Sequence, residues 1–505
     1  VAEVMPEAFI SCSHEIAPEF REFERFSTAA VNATLGPVMS GYVRRLSERI
    51  DALGVSAPSH ITQSNGGVIS FDLAARQPVR TVLSGPSTGV VGAVALGRLA
   101  GAPDLITFDM GGTSTDVALV RAGHPDRSGD MAVHGHPLKI PMLDINTVGA
   151  GGGSIAHIDH GGLLKVGPQS AGAEPGPVCY GLGATEPTVT DANVALGVLN
   201  PDYLLAGRMK IDRGLAVDAI AAVGARLGLS MEEAAQGILS IVTANMAKAI
   251  RVISVQRGHD PRGFALMAFG GAGPIHAARL ARELECPRII VPPHPGILCA
   301  TGLLLTDLVT DYARTRLTLL ADGTDAIAAE FAALERQAAD WFEAEGVAET
   351  ARQLSRSIDM RYAGQNYELA VPVPEGVAGD ALIAALKAGF EAEHARMYGY
   401  IAEEEPIQLV TFRLQATGVV PKSEITRHPP ADTDPEEARF GSRTVWLPER
   451  GGRTDVPLYQ RAGLGPGHRI DGPAIVEQMD STTLILPGQS AQVDEYLNIV
   501  IEEAA

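Results

Sequence analysis

The sequence predicts an α/β protein, and three observations carry that prediction. Glycine is abundant, at 55 of 505 residues, while aromatic residues make up only 5%; that balance suits many tight backbone turns between buried strands and helices. Residues 104–120, DLITFDMGGTSTDVALV, run from an apolar stretch through a glycine turn into alternating polar and β-branched residues, the pattern of strand, turn, strand. Residues 264–284, FALMAFGGAGPIHAARLAREL, pass from a buried strand through a second glycine turn into a helix. The length allows about three domains at roughly 150 residues each.

The other elements follow in chain order. Residues 27–53 have a Ser/Thr start and apolar positions at helical spacing, which predicts a long helix. A short strand is expected at Ile61–Gln63, running into the Gly-Gly turn of SNGGVIS, and a small-residue helix with a serine cap at 84–100. Strand-like sequence fills 133–166, interrupted by GAGGGS at 149–154, and helical patterns dominate from Asp212 to about Gln256. RIIVPP gives another buried strand, and 297–308 another helix. Beyond Tyr312 the character changes: an acidic, Ala-rich helix over 325–346, a strand-like RYAGQNYELAVPV, a helix over 380–396, then strands and turns from Pro406 to the end. The predicted division is a first domain over 1–315 and a smaller α+β, β-rich region over 316–505.

Composition excludes some classes of function. Sixty acidic against 40 basic residues give a formal charge of −20, which argues against nucleic-acid binding through the phosphate backbone. Cys12, Cys179, Cys286 and Cys299 are scattered and form no CxxC pair, so neither a disulfide framework nor a zinc knuckle is expected. No run approaches ~18 uninterrupted apolar residues. A soluble, cytoplasmic protein without membrane attachment is the expectation.

Chemistry concentrates in glycine-rich turns. In DMGGTSTD a strand delivers Asp109 to a turn where Gly111 and Gly112 permit close backbone approach, Thr113, Ser114 and Thr115 add hydroxyl and amide donors, and Asp116 closes the second strand. Backbone N–H groups in such a turn form an anion-binding concavity, and a neighbouring carboxylate suits Mg²⁺. No GxxxxGK[ST] occurs, so this is not a P-loop. In AFGGAGP, Gly270, Gly271, Ala272 and Gly273 lead into a helix N-terminus that can face an anion or a nucleoside. A dinucleotide fingerprint competes for this segment, but His276 occupies the third glycine position and the next strand ends in Pro292-Pro293. GAGGGS, with Gly151 and Gly152, is either another close approach to ligand or a connecting loop. Asp144 flanks it, and Asp191 in TVTDAN is either a helix cap or a functional carboxylate. His157, Asp159 and His160 resemble ligand spacing, yet strand alternation separates the two histidines; His134 and His136 would share a face. Cys299 reads as a packing residue.

With these segments in view, the chain resembles the hydantoinase A/5-oxoprolinase family over essentially its whole length. The resemblance rests on ordered strings, among them SHEIAPEFREFER, QSNGGVIS, LSGPSTGVVGA, FDMGGTSTDVALV, TVGAGGGSIA, AGAEPGPVCYG, PTVTDAN, AFGGAGPIHAARLA and RYAGQNYEL. It implies an actin/hexokinase/Hsp70-like ATPase core that takes ATP with Mg²⁺ (or Mn²⁺). On that resemblance DMGGTSTD is the second phosphate loop, Asp109 the metal-associated carboxylate, and Gly270 to Gly273 the adenosine segment. Asp116, Asp144 and Asp191 are further polar contributors to catalysis. The implied reaction is ATP-dependent opening of a lactam or cyclic amide through phosphorylation of the amide oxygen. A carboxylase subunit acting on a ketone, and a non-catalytic nucleotide-binding subunit, are the alternatives. The family also implies a hydantoinase B-like partner subunit and an oligomer. Its members normally carry another phosphate loop upstream of what is Val1 here, so an N-terminal phosphate-loop lobe is expected to be missing. They often have a histidine where this sequence has Asn146.

Overall fold

The computed structural model describes residues 3–129, 131–133, 135–202, 204–432 and 434–504. Two compact units share the chain, each assembled from three stretches: residues up to 88, 127–143 and 305–422 in the first, and 89–126, 144–304 and 423 onward in the second. The strand Leu308–Leu319, which spans residue 315, belongs to the first unit.

The first unit is built on a six-stranded sheet in the order His60–Thr62, Val68–Ser70, Leu308–Leu319, Ile407–Gly418, Arg352–Tyr362, Leu369–Pro372. Alternation along its central strand gives the sheet two different faces. Phe412, Leu414 and Ala416 join a core with Phe331, Leu334 and Phe342 of the helix Thr324–Ala344 and with Leu386 and Phe390 of the helix Gly379–Tyr398. Arg413 points the other way, to Asp359 at 2.8 Å and Glu19 at 2.8 and 3.0 Å, and Glu19 also pairs with the buried Lys139 at 3.4 Å. Burial alone would lower the Arg413 pKa, but the carboxylates of Glu19 and Asp359 overbalance it and raise it. The expected helix at 27–53 is present and longer, Glu22–Ala52. RYAGQNYELAVPV divides into two antiparallel strands, because a turn at Ala363–Gln365 separates Tyr362 from Leu369.

The second unit holds the glycine-rich segments. β1 (Leu105–Met110) and β2 (Thr115–Arg121) form an antiparallel hairpin, and β3 (Ile145–Val148) pairs with β2 on its outer side. β4 (Ala265–Phe269) runs parallel to β1, and β5 (Arg288–Val291) parallel to β4. The sheet continues antiparallel through Ile499–Glu503 and Gln489–Val493 to Arg469–Asp471. β1 and β4 are nearly continuous apolar runs with almost every residue buried, as strands covered on both faces must be. A four-stranded sheet includes the hairpin of β6 (Ala474–Glu477) and β7 (Thr482–Ile485).

Helices cover these strands. α1 (Val189–Ala195) starts at a capping box formed by Thr188 and Asp191. α2 (Met231–Ile253) buries Ile238, Leu239, Val242, Met246 and Ile250 in the core that holds Ile106 and Phe108 of β1. Each such side chain contributes up to about 1.5–3 kcal/mol. α2 is long and apolar enough by composition to cross a bilayer, and half of that stretch is buried inside the protein. α3 (Gly273–Leu284) follows β4 directly, as expected. The helix expected over 297–308 is only Leu298–Leu303, because the chain enters the strand Leu308–Leu319.

Phe412 is fully buried and meets Phe331 edge-on at 5.8 Å between ring centres. Phe412→Ala should therefore destabilise the first unit by about 3–5 kcal/mol, visible as a lower midpoint in equilibrium urea unfolding.

Candidate functional site

Three glycine turns, far apart in sequence, meet in the second unit through backbone contacts. The β1–β2 hairpin closes with the N–H of Gly111 donating to the carbonyl of Ser114 at 3.1 Å, leaving Gly112 and Thr113 exposed at its tip. The GAGGGS segment packs beneath that tip. Gly152 N donates to Gly111 O at 3.0 Å, Gly153 N to Gly112 O at 2.6 Å, and the Thr115 hydroxyl to Ala150 O at 2.5 Å. A Cβ at Gly151 would lie 2.6 Å from Gly112 O, so any side chain there would force the two turns apart. The third turn follows β4: Ala272 N donates to Met110 O at 2.9 Å and Gly270 N to Pro295 O at 2.9 Å. Gly270 has φ +78° and leaves room for the Asp109 carboxylate, which a Cβ would approach to 2.4 Å.

These turns line one side of a cavity of about 290 Å³, through Gly111, Gly112, Gly152, Gly271 and Ala272. Tyr180, Leu199, Leu204, Leu205, Met209 and Ile275 give it an apolar wall. Gln478 to Ser481, the loop joining β6 and β7, supplies a third wall with the flanking Glu477 and Thr482. α3 begins here, so the positive end of its dipole faces the cavity. A pocket with backbone turns on one side and aliphatic side chains on the other suits a ligand with an anionic end and a flat apolar end.

Two carboxylates stand beside the turns. Asp109 and Asp116 are direct cross-strand partners in β1 and β2, which puts their side chains on one face of the sheet. Burial first, then the Cys299 thiol opposing it and the Asp116 charge adding to it, leave Asp109 lifted to about 6 from its ordinary 3.8. Asp116 is raised by burial against the opposing hydrogen bond from Thr147, at 2.5 Å. Burial and then the charge of Asp109 push the Cys299 thiol up to about 12, so it stays protonated and donates to Asp109 at 3.3 Å. Cys299, expected only to pack, thus also holds a carboxylate. His276 at the start of α3 is lowered to about 3 by burial and the Arg279 charge, so its ring is neutral at pH 7. A close pair of desolvated carboxylates could hold a divalent cation that keeps most of its water shell and takes its remaining ligands from a phosphate.

The other expected site residues divide by position. Gly111, Gly112, Gly152, Gly271 and Ala272 line the cavity. Gly151, Gly270 and Gly273 are buried beneath it, and the Thr115 hydroxyl is committed to Ala150. Thr113 and Ser114 complete the hairpin tip, with the Thr113 hydroxyl 3.5 Å from that of Ser170. Asp144 is ion-paired with Arg257. Asp191 is fully buried and accepts from the N–H of Val178, Cys179 and Thr188 and from the Thr188 hydroxyl, all within 3.1 Å. Asn146 donates to the carbonyl of Ala249 at 3.0 Å. His157 pairs across a strand with Lys165, while Asp159 accepts from Gly161 and Leu163 to close a turn. His134 lies outside the described residues. Among the described residues no three His, Cys, Asp or Glu side chains gather as a metal site.

Sequence reasoning missed the apolar wall of Leu199, Leu204, Leu205 and Met209 and the loop 478–481. The first carries no motif. The second left a faint signal, a polar turn QMDS between two apolar runs, but nothing in the chain links it to glycines some two hundred residues upstream.

Fold and cavity together define an α/β protein with a pocket built between glycine turns and an aliphatic wall. The sequence pattern described as hydantoinase/oxoprolinase matches residues 25–312, and that of the hydantoinase/oxoprolinase C-terminal domain matches 319–504. The chain belongs to the hydantoinase/oxoprolinase family. It is 36% identical to an uncharacterized protein of Methanocaldococcus jannaschii, over 97% of this chain and 72% of that one. It is 35% identical to caprolactamase subunit alpha of Pseudomonas jessenii, over 98% and 72%, and 34% identical to the acetophenone carboxylase gamma subunit of Aromatoleum aromaticum, over 97% and 68%. The crystal structure of ATP-dependent caprolactamase from Pseudomonas jessenii superposes with a TM-score of 0.92 at 33% identity, covering 100% of this chain and 74% of that one.

Two outcomes follow from this geometry. Gly270→Ala, at positive φ and against Asp109, should cost about 1–3 kcal/mol, read as a lower melting temperature. Asp109 titrates higher folded than unfolded, so the folded state holds the extra proton between about pH 4 and 6. Stability then falls as pH rises through that window and stays low above it. Asp109→Asn should accordingly stabilise the ligand-free protein at pH 7.5 by about 1–2 kcal/mol, with the gain disappearing below pH ~4. Urea unfolding at the two pH values checks it.

Proposed function

We propose that this chain is the nucleotide-handling component of an ATP-dependent enzyme that opens a lactam or other cyclic amide. The observation that carries the reading is the cavity itself, with glycine turns on one side, an aliphatic wall on the other and a raised carboxylate pair beside the hairpin. Gly112 and Gly271 would hold the phosphates through backbone N–H groups, with Gly111 and Gly152, whose N–H groups are paired within the turns, setting their positions; Leu199, Leu204, Leu205 and Ile275 would enclose the nucleoside. Asp109, with Asp116 beside it, would bind Mg²⁺ or Mn²⁺. Bound ATP would supply the phosphoryl group that turns an unreactive amide oxygen into a leaving group.

This chain's residues do the positioning. The hairpin and α3 present fixed dipoles, which need no reorganisation as charge develops. Cys299 and Gly270 keep the Asp109 carboxylate in one orientation. Asp191 acts as a scaffold, clamping the 178–179 and 188 segments so that Tyr180 and Thr190 stay at the cavity. Asp144 steadies Arg257 behind β3. An actin-like ATPase core belongs to this proposal; the names of its relatives support a partner subunit, since caprolactamase subunit alpha and the acetophenone carboxylase gamma subunit are both parts of larger enzymes.

The test is ATP hydrolysis by the chain combined with a hydantoinase B-like subunit, across 5-oxoproline, hydantoins, caprolactam, and acetone with bicarbonate. Stimulation by one cyclic amide, with ring-opened product in proportion, is the expected result. Stimulation only by ketone with bicarbonate would select the carboxylase reading, which the 34% identity to a carboxylase subunit favours as second choice. Bound nucleotide without turnover in every mixture would leave a non-catalytic nucleotide-binding subunit. Asp109→Asn should lower turnover by roughly 10²-fold or more while the circular dichroism spectrum stays unchanged; undiminished turnover would refute the assignment.

A further inference from the structure

We infer that the hydroxyl of Ser481 recognises the nucleoside part of the ligand, an inference that rests on the nucleotide reading of the cavity. Ser481 lines that cavity, is 7% exposed, and its Oγ has no hydrogen-bond partner among the described residues. A buried hydroxyl without a partner carries a desolvation penalty that a bound polar group removes.

The residues around it are held firmly. Gln478 N donates to Ser481 O at 3.1 Å, closing the loop between β6 and β7. The Asp480 carboxylate accepts from Gly296 N at 2.8 Å and from Gln478 Nε2 at 2.6 Å, and Gln478 Nε2 also donates to Pro293 O at 3.1 Å. Pro295, adjacent to Gly296, receives the N–H of Gly270 on its carbonyl. The loop carrying Ser481 and the glycine turn after β4 are therefore fixed to the same short segment, so the hydroxyl cannot swing away without breaking several bonds.

Charge decides which part of the ligand it meets. Asp480, the preceding residue, sets a carboxylate at the same wall, where Gly296 N and Gln478 Nε2 donate to it. That carboxylate disfavours a phosphate and tolerates the uncharged nucleoside. The phosphates are then left to the glycine turns and the start of α3, where backbone N–H groups and the helix dipole favour them.

Calorimetric titration of the whole chain with ATP and with inorganic tripolyphosphate tests this. Ser481→Ala should raise the Kd for ATP about five- to tenfold and leave that for tripolyphosphate unchanged. Ser481→Thr, which keeps the hydroxyl, should stay near the wild-type value and guards against an effect of lost packing. ATP binding that Ser481→Ala leaves unchanged would overturn the inference alone, as would an equal loss for ATP and tripolyphosphate. Absence of ATP binding by the wild type would overturn the nucleotide reading and this inference with it.

Discussion

Backbone packed directly against backbone is the constraint on which the candidate site depends. Three turns approach so closely that main-chain N–H and C=O groups of one satisfy those of the next: Gly152 to Gly111, Gly153 to Gly112, Ala272 to Met110. Side chains would hold such segments several ångströms further apart, and the surface they share would open. The glycine content therefore has a local cause. Two of the turns also close the ends of buried strands, so the cores beneath β1 and β4 and the rim above them are set by the same contacts. A rim made of main chain has few rotamers to lose when a ligand arrives, which favours preorganised binding.

The electrostatics of the rim point the same way. Asp109 and Asp116 are desolvated side by side, an arrangement that costs stability in the free protein above pH ~6. A cation or a phosphate-bound metal would relieve that cost, and stability surrendered at a binding site is a familiar exchange for function. The neighbouring groups are fixed in single protonation states: Cys299 remains a thiol and His276 a neutral ring at pH 7. Beside the cavity, then, Asp109 is a group whose protonation is poised to answer to a ligand's charge.

The first unit shows a different use of burial. Alternation on the strand Ile407–Gly418 sends Phe412 and Leu414 into a helix-covered core and Arg413 to Glu19 and Asp359 on the opposite face. Helices are legible there from their spacing, and the start of the long helix differs by only a few residues, since Ser27-Thr28 reads as a helix start although Phe23 and Phe26 already lie at helical spacing before it. The strand Leu308–Leu319 was not legible. Most of it, from Asp311 on, mixes charged and polar residues that fit a solvated loop equally well, and only pairing with Ile407–Gly418 makes it sheet.

Within the sequence, local chemistry determined what local chemistry can: the strand–turn–strand at 105–121, the strand–turn–helix at 265–284, the caps, and glycines where no side chain fits. Family resemblance was legible from the strings that hold those turns. Tertiary structure alone decided which groups share a site. It set Asp109 beside Asp116 and Cys299, committed Asp191 to four hydrogen bonds and Asp144 to Arg257, and brought Ser481 to glycines far upstream. The physical reason is that a carboxylate or hydroxyl looks the same in sequence whether it meets ligand, backbone or a counter-charge. Only the packing of distant segments fixes its partner, and the partner fixes its role.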